Sequence, residues 1–370
     1  MHNMSRPYQV HKGLQGRHLS VTASHGSYYD QSGHRWTWQR PPLYCTTEDL
    51  LTQTFAVPFL YPMLEKAGAI VWTARERCWN REEVIVDNDT PQKNGVYIEQ
   101  SGDHEWQDAG PGFAWLHEVY HDKDNPHAEG TARMVEAQTS KRLSSSIVWT
   151  PHIKKEGEYA VYVRYPSTPT NVPDAKYVIR HNGISTTVRV NQQMGGNTWV
   201  YVGTFDFSTG ISKDNSITLT NVSNYRGVVA ADAIRLGGGM GNIERTDSVG
   251  IGPTVSGLPR YLEGSRYTSF WYGMPYHVYS AKKGTSDYGD DINARPMATN
   301  YLSRGSVYLP GDSGLNVPIE MTLALHSDAG WRRDMGHIGS LAIYTSDFEE
   351  GVLPSGLSRK AVSALGDIFL

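Results

Sequence analysis

The period of hydrophobic and polar positions changes several times along the chain. Residues 17–24, RHLSVTAS, alternate apolar and polar before His25-Gly26, which predicts a strand ending in a loop. After the aromatic loop SYYDQSGHRWTWQRPPLY comes TTEDLLTQTFAVPFLYPMLEKAGAIVW. Here Thr46 or Thr47 can cap a helix with Glu48 and Asp49 in its first turn. Leu50, Leu51, Thr54, Phe55 and Val57 through Leu64 are its expected buried face. Pro58 and Pro62 predict a kink, and Gly68 predicts the end before the strand AIVWTA.

From about residue 89 the period becomes two. DNDTPQKNG opens a stretch dense in Gly, Asn, Ser and Thr, followed by YAVYVRY, KYVIRH, TTVRV, TWVYVGTFDF and SITLTNV. Closely spaced strands with turn residues between them predict an all-β sandwich. Beyond RLGGGMGN the character is mixed again: RYLEGSRYTSFWYGM predicts helix, IEMTLALHSDAG a buried strand ending in His326, and SRKAVSALGDIFL a last helix. The expected fold class is therefore α/β, an open sheet with helices on both faces, interrupted by an inserted β-sandwich. The expected boundaries are 1–88 for the first part of the α/β domain, 89–240 for the insert and 241–370 for the second part. His25 and His326 both follow apolar strands, and ligands bind outside the carboxyl ends of strands in open α/β sheets.

Charge and composition narrow the function classes. The 370 residues carry a net charge of -4 and no long Lys/Arg run, which excludes an electrostatic case for nucleic acid or an anionic membrane. No apolar run reaches the roughly 20 residues of a membrane span, and MHNMSRPYQVHKG lacks the apolar core of a signal peptide. Cys45 and Cys78 can pair, but two thiols make neither a disulfide framework nor a metal cluster.

HEVYHDKDNPH, residues 117–127, contains the H-E-x-x-H letters of a zinc protease in His117, Glu118 and His121, with His127 where a third ligand would stand. The motif needs a helix that presents both histidines on one face. Pro111 and Gly112 upstream, Asn125-Pro126 downstream and Asp124 at the position of a turn glycine argue against that reading. SDYGDDINAR places Asp287, Asp290, Asp291 and Asn293 close enough for calcium, and a solvated acidic turn is the plainer expectation. GGGMG, with no following Lys-Ser or Lys-Thr, is a linker and not a phosphate cradle. Trp106, Trp115, Trp149 and Trp199 are candidate sugar platforms for which core packing is the favoured alternative.

Two resemblances bear on function. SHG at 24–26, Glu48 opening a helix, MLEKAGAIVWTARE at 63–76 and LALHSDAG at 323–330 resemble the zinc-dependent N-acetylmuramoyl-L-alanine amidases. The resemblance implies an amidase-like sheet and a Zn2+ cofactor held by His25, Glu48 and His326, with Asp49 an alternative carboxylate because the helix is one residue longer than usual. It also implies cleavage of the amide between peptidoglycan glycan and stem peptide, in the periplasm or outside the cell. The family's general-base glutamate has no match before Leu370, so the catalytic base is expected beyond it, and Glu349 and Glu350 lack the strand context. Two imidazoles and a carboxylate suit such chemistry, because they leave zinc a position for water whose pKa falls toward roughly 7.

WTPHIKKEGEYAVYVRYP, GGNTWVYVGTFDF and VVAADAIRLGGG resemble the carbohydrate-binding-like sandwich of golvesin-type and xanthan-lyase-annotated proteins, with ADAIRLGGG the most specific piece. This implies peptidoglycan or another polysaccharide as partner. The expected function is an amidase-type hydrolase with an accessory glycan-binding sandwich; the alternatives are a non-catalytic polysaccharide-binding protein and a polysaccharide lyase. Tyr28, Tyr29, Trp36 and Trp38 flank the His25 loop, where their rings can stack on sugars or pack against protein.

Overall fold

The computed structural model describes residues 12–43, 45–246, 254–311, 313–327, 339–353 and 356–369. The chain divides into two compact units, one of residues 1–24, 42–72 and 300–370, the other of residues 25–41 and 73–299. The division departs from the expected boundaries, since residues 25–41, 73–88 and 241–299 go with the sandwich.

The first unit is built on three parallel strands. β1 (His18–Ala23) lies between β4 (Ile70–Trp72) and β17 (Ile319–Leu325). Leu19, Val21 and Ala23 of β1 form a buried core with Ala56, Tyr61, Ala69 and Val71. The helix after β1 begins as α1 (Glu48–Phe55), capped by Thr47, whose Oγ1 accepts from the Asp49 amide at 3.0 Å. The kink expected at the prolines is a π-helical turn over Ala56–Leu60, after which α2 (Tyr61–Lys66) completes the segment. Gly68 ends it at φ +101, with Gln15 Cα 2.8 Å from where a Cβ would stand.

The buried face of this helix is the expected one only in part: Tyr61 is buried and Val57, Leu60 and Leu64 pack against the core, but the first turns differ. Glu48, Asp49, Thr52 and Gln53 are buried, while Leu51, Phe55, Phe59 and Met63 form an exposed stripe at four-residue spacing. Hydrogen bonds set the rotation: the Ser24 hydroxyl donates to the Glu48 carbonyl at 3.2 Å and shares a 2.6 Å bond with Thr52 Oγ1. Ser24 at the strand end thus sets the first turns, and the apolar spacing of Val57, Leu60, Tyr61 and Leu64 sets the rest. α6 (Ala361–Phe369) also belongs to this unit.

The second unit is almost wholly antiparallel. β2 (Ser27–Asp30) and β3 (Arg35–Trp38) form a hairpin. A four-stranded sheet has the order β13 (Val200–Phe207), β10 (Gly157–Val163), β16 (Ile234–Gly237), β5 (Glu83–Val86). A five-stranded sheet has the order β12 (Ile184–Val190), β11 (Ala175–His181), β14 (Ser216–Thr220), β9 (Ser146–Pro151), β6 (Gly95–Gln100). β15 (Val228–Ala231), β8 (Gly130–Glu136) and β7 (Gln107–Gly112) complete the set. The five runs expected as sandwich strands are β10 to β14. Their alternate residues, among them Tyr159, Val161, Tyr177, Ile179, Ile217 and Leu219, are buried together with Trp149 and Trp199. α3 (Ser265–Trp271), α4 (Tyr276–Tyr279) and the start of α5 (Asp287–Ser303) follow.

The α/β class is therefore corrected. Among the described residues, parallel pairing in the named strands is confined to β4, β1 and β17, and every other strand pair is antiparallel and needs no crossover helix. Among the described residues the chain is predominantly a β-sandwich and not an open sheet with helices on both faces. The sequence overstated the α/β part because α3, α4 and the start of α5 belong with the sandwich unit.

Several buried charges in this unit are paired. Arg164 binds Asp232, and Arg235 reaches Glu76 Oε2 at 2.7 Å and Glu83 Oε1 at 3.3 Å. SDYGDDINAR is neither a solvated turn nor a calcium loop. Asp287 accepts from Arg245 Nη2 at 2.6 Å, Asp290 from the Ser280 hydroxyl at 3.1 Å, and Asp291 from Gln39 Nε2 at 2.9 Å. Those carboxylates anchor the first turns of α5.

Glu263 is fully buried, and burial pushes its pKa up to about 7, with Arg260 pulling the other way. The folded state then holds a proton that the unfolded chain releases between about pH 4.5 and about pH 7. Stability is expected to fall as pH rises through that window, by up to about 3 kcal/mol. Urea unfolding across the window checks this against Glu263→Gln, whose profile should be flatter by that amount. An identical slope in both proteins contradicts it.

Candidate functional site

The strongest cluster begins at the end of β1. Ser24 closes the strand with φ +36, in the left-handed region that costs a non-glycine residue energy, and its amide donates to the Leu325 carbonyl at 3.0 Å. His25 is the next residue. Glu48 opens α1 and His326 follows β17, so a helix start and two strand ends supply the three groups. Their ligand atoms all lie within 4.8 Å of one another. His25 and Glu48 are buried, and the His326 side chain is 34% exposed. His326 Nδ1 stands 2.8 Å from Glu48 Oε1, which also accepts from the Ser327 amide at 3.1 Å. A histidine–glutamate contact alone is an ordinary hydrogen bond; the converging second imidazole, that of His25, makes the donor set one that fits zinc.

Asp49 points elsewhere, its Oδ2 accepting from the Thr47 hydroxyl at 3.0 Å, so the geometry favours Glu48 as the carboxylate. Asp328, Ala329 and Gly330 of LALHSDAG lie outside the described residues. Glu349 and Glu350 sit in a short turn at φ +50 and +57 and not on a strand.

The aromatic residues near His25 separate by burial. Tyr29 is buried against Trp36, and its amide donates to the Tyr267 hydroxyl at 2.8 Å. Trp36 tilts over Tyr267, Tyr28 meets Tyr288 edge to face, and Tyr28, Trp36 and Trp38 are each partly exposed.

HEVYHDKDNPH forms no α-helix. His121 Nε2 lies 2.9 Å from Glu244, and His127 is buried between Phe113 and Trp199 with Nε2 3.1 Å from the Trp271 carbonyl. Burial holds His127 down at about 3. The segment is structural. Trp106, Trp149 and Trp199 are core residues, and Trp115 lies under Lys93 Nζ at 4.7 Å. Among the described tryptophans the exposed one is instead Trp79, 44% exposed and 6.2 Å from Tyr261. It lies in RERCWNREE, a segment without strand or helix periodicity, and nothing in its local pattern marked it.

The Golvesin C-terminal domain matches residues 121–238. A xanthan lyase of Bacillus sp. (strain GL1) is 29% identical over 94 residues, 25% of this chain and 10% of that enzyme. The chain thus spans about a tenth of the curated relative it matches. A Paenibacillus xanthan lyase structure aligns at 23% identity and a TM-score of 0.32, covering 42% of this chain and 13% of that one. Xyl-CBM35, solved with a glucuronic acid-containing disaccharide, aligns at 17% identity and 0.27, covering 42% and 94%.

These matches are to a Golvesin C-terminal domain and to a xanthan lyase, and not to amidases. This overturns the expected N-acetylmuramoyl-L-alanine amidase activity and removes the support for a peptidoglycan amide as substrate. The sandwich resemblance is the part that holds: residues 121–238 match the Golvesin C-terminal domain, and a 94-residue stretch is similar to a xanthan lyase. Among the described residues, no helix is long and apolar enough to cross a membrane.

Proposed function

We propose that the protein is a non-catalytic polysaccharide-binding protein acting in the periplasm or outside the cell. The observation that carries this reading is the golvesin-type sandwich over residues 121–238, supported by the similarity to xanthan lyase. Trp79 and Tyr261 offer a ring surface of the kind that stacks on sugar faces. We further propose that His25, Glu48 and His326 hold a zinc ion. Such an ion would tie two strand ends to a helix start and offer Lewis acidity at its remaining position.

Affinity electrophoresis through gels containing xanthan tests the binding role. The protein is expected to be retarded, and Trp79→Ala to bind about tenfold more weakly, a loss of about 1.4 kcal/mol. Incubation should leave the polymer intact. Equal mobility with and without polysaccharide, or release of unsaturated uronate ends, would remove the proposal.

A further inference from the structure

The outward face of the five-stranded sheet is unusually rich in cation and poor in anion. Lys176 and Arg180 of β11 and Arg189 of β12 occupy outward positions, alternating with the buried Ala175, Tyr177 and Ile179. Lys176 stands directly opposite Arg189, and Arg180 opposite Ser185. Directly opposed like charges, with Cβ atoms about 5 Å apart, destabilise a strand pair. Arg189 has Asp174 at 3.6 Å; among the described residues Lys176 and Arg180 have no carboxylate within ion-pair distance.

The neighbouring strands supply none. The five strands contain one acidic residue, Glu99, and it is held by Arg133 at 2.7 Å and Tyr97 at 2.6 Å. The rest of the face is neutral: Thr220, Ser146 and Gln100 continue the Lys176 row, and Thr187, Thr218, Val148 and Ile98 flank Val178. In a chain with 38 acidic against 34 basic residues, this is a local segregation of charge.

Protection of an edge strand accounts for Arg189, because β12 is the sheet edge. It does not account for Lys176 and Arg180, which lie one strand in. A ligand that neutralises all three does. Lys176 and Arg180 are four residues apart, roughly 14 Å along the strand, which suits charges repeated along an extended chain.

We propose that this face binds a carboxylated polysaccharide, with Lys176, Arg180 and Arg189 meeting its carboxylates and the serine and threonine rows its hydroxyls. The inference rests on the polysaccharide-binding reading and supplies its ligand class and a binding surface. A carboxylated glycan is favoured over nucleic acid because three cations on a net-negative chain give little general phosphate affinity.

Binding to polygalacturonate, carboxyl-reduced polygalacturonate and double-stranded DNA tests it, with native protein and a Lys176→Ser, Arg180→Ser, Arg189→Ser triple variant. Native protein should bind polygalacturonate at least tenfold more tightly than the reduced polymer or DNA, with affinity falling as salt rises. The triple variant should lose at least tenfold on polygalacturonate, keep its affinity for the reduced polymer and melt at or above the native temperature. Undiminished polygalacturonate binding by the variant, or DNA binding as tight as polygalacturonate, overturns the proposal while leaving the polysaccharide reading intact. Native protein that ignores every polysaccharide overturns both.

Discussion

Asp232→Ala is expected to destabilise the sandwich unit by about 3–5 kcal/mol, because it strands the Arg164 guanidinium in the interior without its counter-charge. Asp232 is fully buried, and its Oδ2 also accepts from the Phe113 amide at 3.0 Å. Arg164 donates further to the His127 carbonyl at 2.9 Å and Asn197 Oδ1 at 3.3 Å, so the pair joins five separate stretches of chain, around residues 113, 127, 164, 197 and 232. In a unit of this size the loss corresponds to a fall in melting temperature of roughly 6–20 °C. Asp232→Asn keeps the shape and an acceptor for Phe113 and should lose less. Thermal and urea unfolding of both variants decide the matter: Asp232→Ala melting within a degree or two of native protein would show that the pair contributes little.

The same residue explains what the sequence allowed to be read. ADAIRLGGG was the most specific piece of the sandwich resemblance, and its letters have structural causes. Asp232 carries the Arg164 pair, Arg235 the pairs with Glu76 and Glu83, and Gly237 turns at φ +88 with the Glu82 carbonyl 2.0 Å from where a Cβ would stand. Only glycine fits there. The sandwich strands were legible because their period of two coincides with real burial. The HEVYHDKDNPH segment was legible as a false motif because Pro111 upstream and Asn125-Pro126 at its end argue against the helix the motif needs.

The second large effect concerns zinc. Metal-free protein supplied with zinc at a hundred times its dissociation constant should gain about 2.7 kcal/mol of stability, and metal analysis should find one zinc per chain. His326→Ala, which removes a partly exposed ligand, should abolish both the bound zinc and the gain without lowering the melting temperature of the metal-free form by a comparable amount. A native protein whose melting curve ignores zinc, or a variant that binds it as well as native protein does, contradicts the metal reading of His25, Glu48 and His326.

The strand ends at His25 and His326 were found from apolar runs followed by a histidine, and the residues do converge. What could not be read was the rest of the fold around them. The first turns after Thr47 follow their hydrogen bonds to Ser24, and of the apolar run that follows only part faces the core, leaving Phe59 and Met63 exposed. Helical character in SRYTSFW, taken for the second half of an α/β sheet, belongs to a unit held by Glu76, Arg235, Arg260 and Asp287. Ion pairs between residues 40 to nearly 200 positions apart leave no periodic trace in a sequence. Trp79 was missed for a related reason, since exposure of a ring in an irregular segment depends on packing that no local pattern encodes.

Isothermal titration of the intact protein with xanthan oligosaccharides, followed by chromatography of the recovered ligand, tests the central claim most directly. Saturable binding with the oligosaccharides recovered unchanged is the predicted result. Absence of binding heat across temperatures, or oligosaccharides returned as shorter unsaturated fragments, would contradict a binding protein built on this sandwich.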